Sequence, residues 1–149
     1  MSIHVEVRDT EKQVLDPSEA LAFVDAPGNG AGALFVGAVR DFNQGRSVKG
    51  VSYDVFAPLA EQSFAEICAE AQTKWGENLR LFVVHGKGRL GIGGLSIVIA
   101  AGSPHRGEAF SACRYVIEEI KSRSPVWKQE HYVDGDSEWV KGHALCGHD

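Results

Sequence analysis

Five side chains carry the chemistry that this sequence can offer: Arg40, His105, Arg106, Lys121 and Lys128. All are basic, and they stand in three separated segments of a chain whose formal net charge is −5. A local cationic set on an acidic protein suits a small anionic substrate and the stabilisation of negative charge that develops during reaction. The densest segment is Lys121-Ser-Arg-Ser-Pro-Val-Trp-Lys128. One lysine there closes a helix and the other lies just inside the next strand, so both can converge on an anion or on a carbonyl under attack. Arg40 follows an apolar run, and Asn43-Gln44-Gly45 behind it favours a turn that can close over a ligand. His105-Arg106 opens a helix, where backbone N–H groups and the positive helix end attract anions. Cations at that end oppose the helix dipole, a local conflict of the kind functional sites show. Each feature also has an ordinary reading. Lysine and arginine close helices, arginines rim buried strands, and first turns carry solvated charge.

The elements that must position these groups can be read from periodicity and punctuation. Residues 108–120 are predicted to form an amphipathic helix, with Phe110, Cys113, Ile117 and Ile120 on its buried face and Lys121 at the edge of that face. Pro125 ends it and biases Ser124 toward an extended conformation. Trp127 is expected to pack as an anchor between helix and strand, and Arg123 to be a surface charge or a supporting partner. Ser103 and Pro104 open this helix, and residues 127–133 and 138–140 follow it as strands. Upstream, residues 3–7 alternate as a strand, and Asp16 caps a helix that Pro17 starts and that runs to about residue 25. A flexible connection from Pro27 leads to a strand at 33–39, a mobile loop at 41–50 and a strand at 51–56. A second helix runs from Pro58 to about Trp75 with Phe64, Ile67, Cys68, Ala71 and Trp75 inward. Strands at 79–84 and 95–101 flank the glycine-rich stretch 86–94. That stretch has no Gly-Lys-Ser/Thr ending and no helix behind it, so it reads as a hairpin-like connection rather than a phosphate loop. His85 beside it is expected to be a packed or edge histidine. The fold class is α+β: a mixed, largely antiparallel sheet with about three helices.

Composition narrows the function classes. The 149 residues fit one domain, and the acidic balance disfavours nucleic acid as a partner. No apolar run approaches the roughly 20 residues that span a membrane, and residues 1–7 hold no signal-peptide core, so a cytoplasmic protein is expected. Cys68 and Cys113 lie inside predicted helices and Cys146 in the tail, which reads as buried or free thiols without disulfides. His143, Cys146 and His148 lack a fourth ligand, so no metal is expected there, and residues 142–149 read as a flexible tail.

Gly37-Ala-Val-Arg40, Asn43-Gln-Gly45, Tyr53-Asp-Val-Phe56, Ser103-Pro-His-Arg106 and Lys121-Ser-Arg-Ser-Pro-Val-Trp-Lys128 stand in an order seen elsewhere. Over roughly residues 30–141 the chain resembles the large, catalytic subunit of molybdopterin synthase, the MoaE-like family. The resemblance implies a single α/β hammerhead-like domain and a sulfurtransferase. Such enzymes convert cyclic pyranopterin monophosphate (precursor Z) into the molybdopterin dithiolene, a step of molybdenum cofactor biosynthesis. Sulfur arrives on the C-terminal Gly-Gly thiocarboxylate of a small ubiquitin-like carrier subunit. The implied assembly is a homodimer within a heterotetramer, and no metal or organic cofactor is needed. By position, Lys121 and Lys128 would be the essential lysines. Arg40, His105 and Arg106 would bind the phosphate, and Phe35 and Ile117 would line the channel for the carrier tail. The chain departs from the family pattern at Gly86, where arginine is common, at Phe56 and Leu59, and around Lys141 and His143. The rival reading is a non-catalytic module that binds a Gly-Gly C-terminus or a phosphate-containing small molecule.

Overall fold

A computed structural model describes residues 1–141, and the expected tail at 142–149 and its His143, Cys146 and His148 lie outside the described residues. The chain runs β1 (Ile3–Asp9), α1 (Pro17–Val24), β2 (Ala31–Ala38), β3 (Phe42–Asn43), β4 (Arg46–Val55), α2 (Ala57–Trp75), β5 (Arg80–Gly91), β6 (Leu95–Ser103), α3 (Arg106–Arg123), β7 (Val126–Tyr132), β8 (Gly135–Asp136) and β9 (Val140–Lys141). The sheet has the order β2-β6-β5-β4-β7-β8, with β1 beside β5, β3 beside β4 and β9 beside β7. Among the described residues, only β1 and β5 pair in parallel. The α+β class with three helices is the one the sequence implies.

Alternation along β5 and β6 explains how the sheet is covered. Leu81, Val83, Ile97, Ile99 and Ala101 face one way and pack under α2 and α3. Phe82, Val84, Val98 and Ala100 face the other way and meet Leu15, Ala20 and Val24 around α1. Because successive strand residues point to opposite faces, the two apolar runs serve two cores at once. A third cluster of Val39, Val48, Val51 and Tyr132 closes the sheet half that carries β4 and β7. Asp16 Oδ1 accepts from the Ser18 N–H at 2.9 Å and so caps α1 as expected.

Four local expectations need correction. Residues 41–50 are not a loop but a hairpin, with Phe42 opposite Ser47 and Asn43 opposite Arg46. Gln44 and Gly45 both have positive φ, 52° and 77°, which suits the twist of a two-residue hairpin turn. The glycine-rich stretch does join antiparallel β5 and β6 as a hairpin, but most of it is itself strand: β5 continues to Gly91, and its glycines pair with β4 (Gly88 with Tyr53, Gly91 with Gly50). The buried stripe of α3 is Ala109, Ala112, Cys113, Val116, Ile117 and Ile120. Phe110 is 66% exposed, one position off that stripe. Trp127 is no packed anchor. It is 45% exposed, because its strand neighbours Val126 and Lys128 take the inward face and leave the outward one to it.

Candidate active site

The sheet half formed by β4 and β7 and the C-terminal end of α3 enclose a cavity of about 300 Å³. Arg40, Lys121 and Lys128 all line it, brought from the end of β2, the last turn of α3 and the interior of β7. Strand parity delivers Lys128. Tyr53 pairs with Lys128 and Val51 with Glu130, and all four line the same cavity. Phe35, Ile97, Ile117 and Ile120 form its apolar wall.

The two lysines occupy different environments. Lys121 and Arg40 are exposed and form the rim. Lys128 is 6% exposed, and its Nζ lies 3.4 Å from Oε1 of the equally buried Glu130. Pairing opposite charges offsets part of the cost of burying each of them. His85, also buried, adds a ring to the lining, and burial pushes its pKa down to about 4.

Neighbouring contacts fix the rim. Arg40 Nη2 donates to Asn43 Oδ1 at 3.3 Å, and Asn43 Nδ2 donates to the Tyr132 hydroxyl at 3.2 Å. The Arg46 guanidinium covers the Tyr132 ring at 3.7 Å, so the hairpin is tied to β7 by its own side chains. At the helix end, the Ser124 N–H donates to the Ile120 carbonyl at 3.0 Å, and the Ser124 and Ser63 hydroxyls lie 2.8 Å apart. Arg123 clamps Glu70 on α2 through two bonds of 2.7 and 2.8 Å, and the Tyr115 hydroxyl donates to the same carboxylate at 2.6 Å. These bonds pull the Glu70 pKa down to about 2, Arg123 being the larger cause. Arg123 thus supports the helix turn that carries Lys121.

His105 and Arg106 do not line this cavity. They sit at the other end of α3, exposed, with His105 at the N-cap making no side-chain capping bond. Fifteen residues of helix separate Arg106 from Lys121, about 22 Å at roughly 1.5 Å per residue. One copy of the chain therefore cannot bring His105 and Arg106 to the same small anion as Lys121.

Sequence reasoning missed Glu130, Asn43 and Tyr53 as lining residues and left His85 as packing. Once Lys128 is set inward, period-two alternation would have found Glu130 and, through the register, Tyr53. Nothing local to Asn43 signals its bond to a tyrosine 89 positions away.

A Ser-His-Asp relay lies on the opposite face of the same strands. Ser52 Oγ is 2.6 Å from His131 Nε2, and His131 Nδ1 is 2.9 Å from Asp136 Oδ1. Ser52 pairs with Arg89 on one side and Gln129 on the other, so the backbone around it is committed to two ladders. That leaves no backbone N–H for an oxyanion, and the relay reads as a link between β4, β7 and β8. Among the described residues, His4, Glu6 and Glu19 come close enough to share a metal, yet Arg8 already bonds both carboxylates at 2.8 and 3.0 Å. The two described cysteines, Cys68 and Cys113, are buried inside α2 and α3, and burial pushes their thiols up to about 12 and about 11.

Comparison with known proteins bears on this arrangement. The family profile described as MoaE protein matches residues 10–123. The chain belongs to the MoaE protein family. The match includes Arg40, His105, Arg106 and Lys121 and ends before Lys128. The molybdopterin synthase catalytic subunit of Synechococcus elongatus is 49% identical over 129 residues, covering 87% of this chain and 78% of that relative. A crystal structure of molybdopterin synthase from Staphylococcus aureus superposes with a TM-score of 0.84 at 32% identity, covering 91% of this chain and 95% of that one. A chain from a Helicobacter pylori complex of subunits 1 and 2 of molybdopterin-converting factor shares the fold with a TM-score of 0.64 at 22% identity, covering 95% and 90%.

Proposed function

We propose that the cavity beneath the C-terminal end of α3 is where this MoaE family member, as the catalytic subunit of a molybdopterin synthase, transfers sulfur. The enzyme class, a sulfurtransferase of molybdenum cofactor biosynthesis, follows from family membership and from relatives that are molybdopterin synthase catalytic subunits. One observation carries the assignment of the site: Arg40, Lys121 and Lys128, from three distant segments, line one cavity.

The reaction unites two anions, a thiocarboxylate and a cyclic phosphate, and builds negative charge on the oxygen borne by the carbon that receives sulfur. Cations held at the edge of a low-dielectric cavity attract both anions and stabilise that charge without reorganising. In this reading the carrier's Gly-Gly tail runs along Phe35 and Ile117 and ends beside Lys121, the exposed rim lysine. Lys128, anchored by Glu130, holds the substrate from below, and Arg40 takes an oxygen of the phosphate. His105 and Arg106 fit the phosphate role through a second copy, with the N-terminal end of one α3 completing the cavity of the other. That arrangement calls for a homodimer bearing one carrier subunit per copy, and the Helicobacter pylori relative was solved as a complex of two subunits. No helix of the described residues is long and apolar enough to cross a membrane. A cytoplasmic site of action agrees with a carrier and a substrate that are both water-soluble.

The test is reconstitution with precursor Z and thiocarboxylated carrier. The wild type forms molybdopterin, and Lys121→Ala reduces the rate by roughly a hundredfold or more, the scale for losing a group that stabilises the transition state. The variant keeps the fold and the carrier complex. Full activity in Lys121→Ala would sink the mechanism. A wild type that binds the carrier and forms no product would favour the plain binding module.

A further inference from the structure

His85 lines the cavity and has no part in the charge handling described above. Its ring is held from three directions. Nδ1 lies 2.8 Å from the Gly86 carbonyl, the Tyr53 ring meets it edge-on with centroids 5.1 Å apart, and Phe64 stacks at 6.5 Å. A carbonyl can only accept, so Nδ1 carries the proton and Nε2 keeps a lone pair while the ring is neutral. Among the described residues, every side-chain nitrogen or oxygen sealed from solvent has a hydrogen-bond partner. The bond to Gly86 is the ring's hydrogen bond, and it uses Nδ1. Nε2 is therefore not sealed, and the ring it belongs to lines the cavity. Burial keeps the ring neutral, and a further positive charge beside Arg40, Lys121 and Lys128 would be unfavourable.

The cavity's other polar groups set the requirement that this atom meets. Lysine and arginine offer only donors, so they serve the phosphate, the thiocarboxylate and ring carbonyls. Oε1 of Glu130 faces Lys128, Asn43 Oδ1 already accepts from Arg40, and the Ser96 and Ser124 hydroxyls are bonded to the Gly37 carbonyl and to Ser63. A pterin presents N–H and O–H groups as well, and selecting it needs an acceptor of fixed direction. We propose that His85 is that acceptor: a positioning residue whose Nε2 takes an N–H or O–H of the heterocycle and so orients the small-molecule substrate. The proposal rests on the reading of the cavity as the sulfur-transfer site. A ring that stays neutral well below pH 7 is a poor proton carrier at that pH, so its effect falls on binding and orientation.

Two variants and one spectroscopic measurement test it. His85→Phe keeps a ring for Tyr53 and Phe64 and removes the acceptor, whereas His85→Gln can return an acceptor near the Nε2 position. With precursor and thiocarboxylated carrier varied in turn, His85→Phe raises the KM for precursor roughly tenfold, the scale for leaving a buried donor unpaired. The KM for carrier stays within about twofold, since its anionic end is held by the lysines. His85→Gln recovers most of the loss. Equal loss in both variants, or a change confined to the carrier's KM, overturns the proposal. Nitrogen NMR of the histidines in the wild type depends neither on folding of a variant nor on turnover. It should show a neutral ring protonated on Nδ1 at neutral pH, with the Nε2 signal moving when precursor alone is added. An Nε2-protonated ring, or a signal that precursor leaves in place, overturns it. A wild type that binds precursor through His85 yet forms no molybdopterin refutes the functional reading and leaves the positioning role standing.

Discussion

At its C-terminal end α3 delivers Lys121 to a cavity, while at its N-terminal end the same helix presents His105 and Arg106 to open space. The first end is finished. Ser124 caps it, Arg123 clamps it to Glu70, and its two basic residues agree with the helix dipole. The second end lacks a side-chain cap, and its cations oppose the dipole. An end that is unfavourable by itself and rich in donors becomes favourable once an anion arrives. The contrast teaches that one helix can carry both a finished end and an end whose charge balance calls for an anion.

The sharpest way to break this comparison is to ask whether the two ends serve one cavity or two. Arg106→Ala and Lys121→Ala should each be close to inactive when pure. Mixed and allowed to exchange subunits, they should regain up to about a quarter of wild-type activity, since half the dimers are mixed and each has one intact site. No recovery despite demonstrated exchange would confine both ends to one copy's chemistry. Arg106→Ala alone should leave the melting temperature unchanged or slightly higher, because it removes a cation from the positive end.

A second test concerns what lies beneath the finished end. Lys128→Ala strands Glu130 in a buried position and should cost about 3 kcal/mol in urea unfolding. Replacing the pair by Lys128→Met with Glu130→Leu should recover most of that stability and none of the activity. If Lys128→Ala unfolds at the wild-type midpoint, the pair is not buried in solution.

The smallest effect is expected at the clamp. Glu70→Gln or Arg123→Ala should lower molybdopterin formation a few-fold by loosening the turn that bears Lys121. The carboxyl of Glu70 is depressed to about 2 from an ordinary value of 4.5. Its contribution to stability is therefore complete above the ordinary value and is lost as pH falls toward the depressed one. Both partners are more than a third exposed, so solvent screening keeps that contribution small. The melting-temperature gap between wild type and Glu70→Gln should be constant above pH 5 and close as pH falls toward 2. A gap that widens on acidification would refute the clamp.

Most of the scaffold was legible in the sequence because its signals are local. Alternation marked the strands, three- and four-residue spacing marked α2 and α3, and Asp16-Pro17 marked the start of α1. The errors arose where a distant partner decides. The turn at Gln44-Gly45 needs a non-glycine residue at positive φ, which the bonds from Asn43 and Arg46 to Tyr132 help to hold. Trp127 looked like core by residue type and lost that place to strand parity. For the site, residue types and motif order pointed to Arg40, Lys121 and Lys128, whereas the separation of Arg106 from Lys121 follows from helix length. His85 has no local signature, and Glu130 gains one only once Lys128 is set inward, because their meaning depends on which strands meet.

The two buried cysteines have a consequence for the company this protein keeps. A thiocarboxylate is an activated sulfur carrier, and any thiolate within reach could intercept it or the acyl group behind it. Cys68 and Cys113 sit inside the packed helices with their thiols pushed up to about 12 and about 11, so at neutral pH almost none of either is thiolate. Cys113 lies under the strand that carries Phe35, close to the proposed tail channel, and its Sγ sits between the Ile99 carbonyl, 3.9 Å away, and the Phe35 backbone. The described part of the chain can therefore host a reactive sulfur donor without offering a competing acceptor of its own.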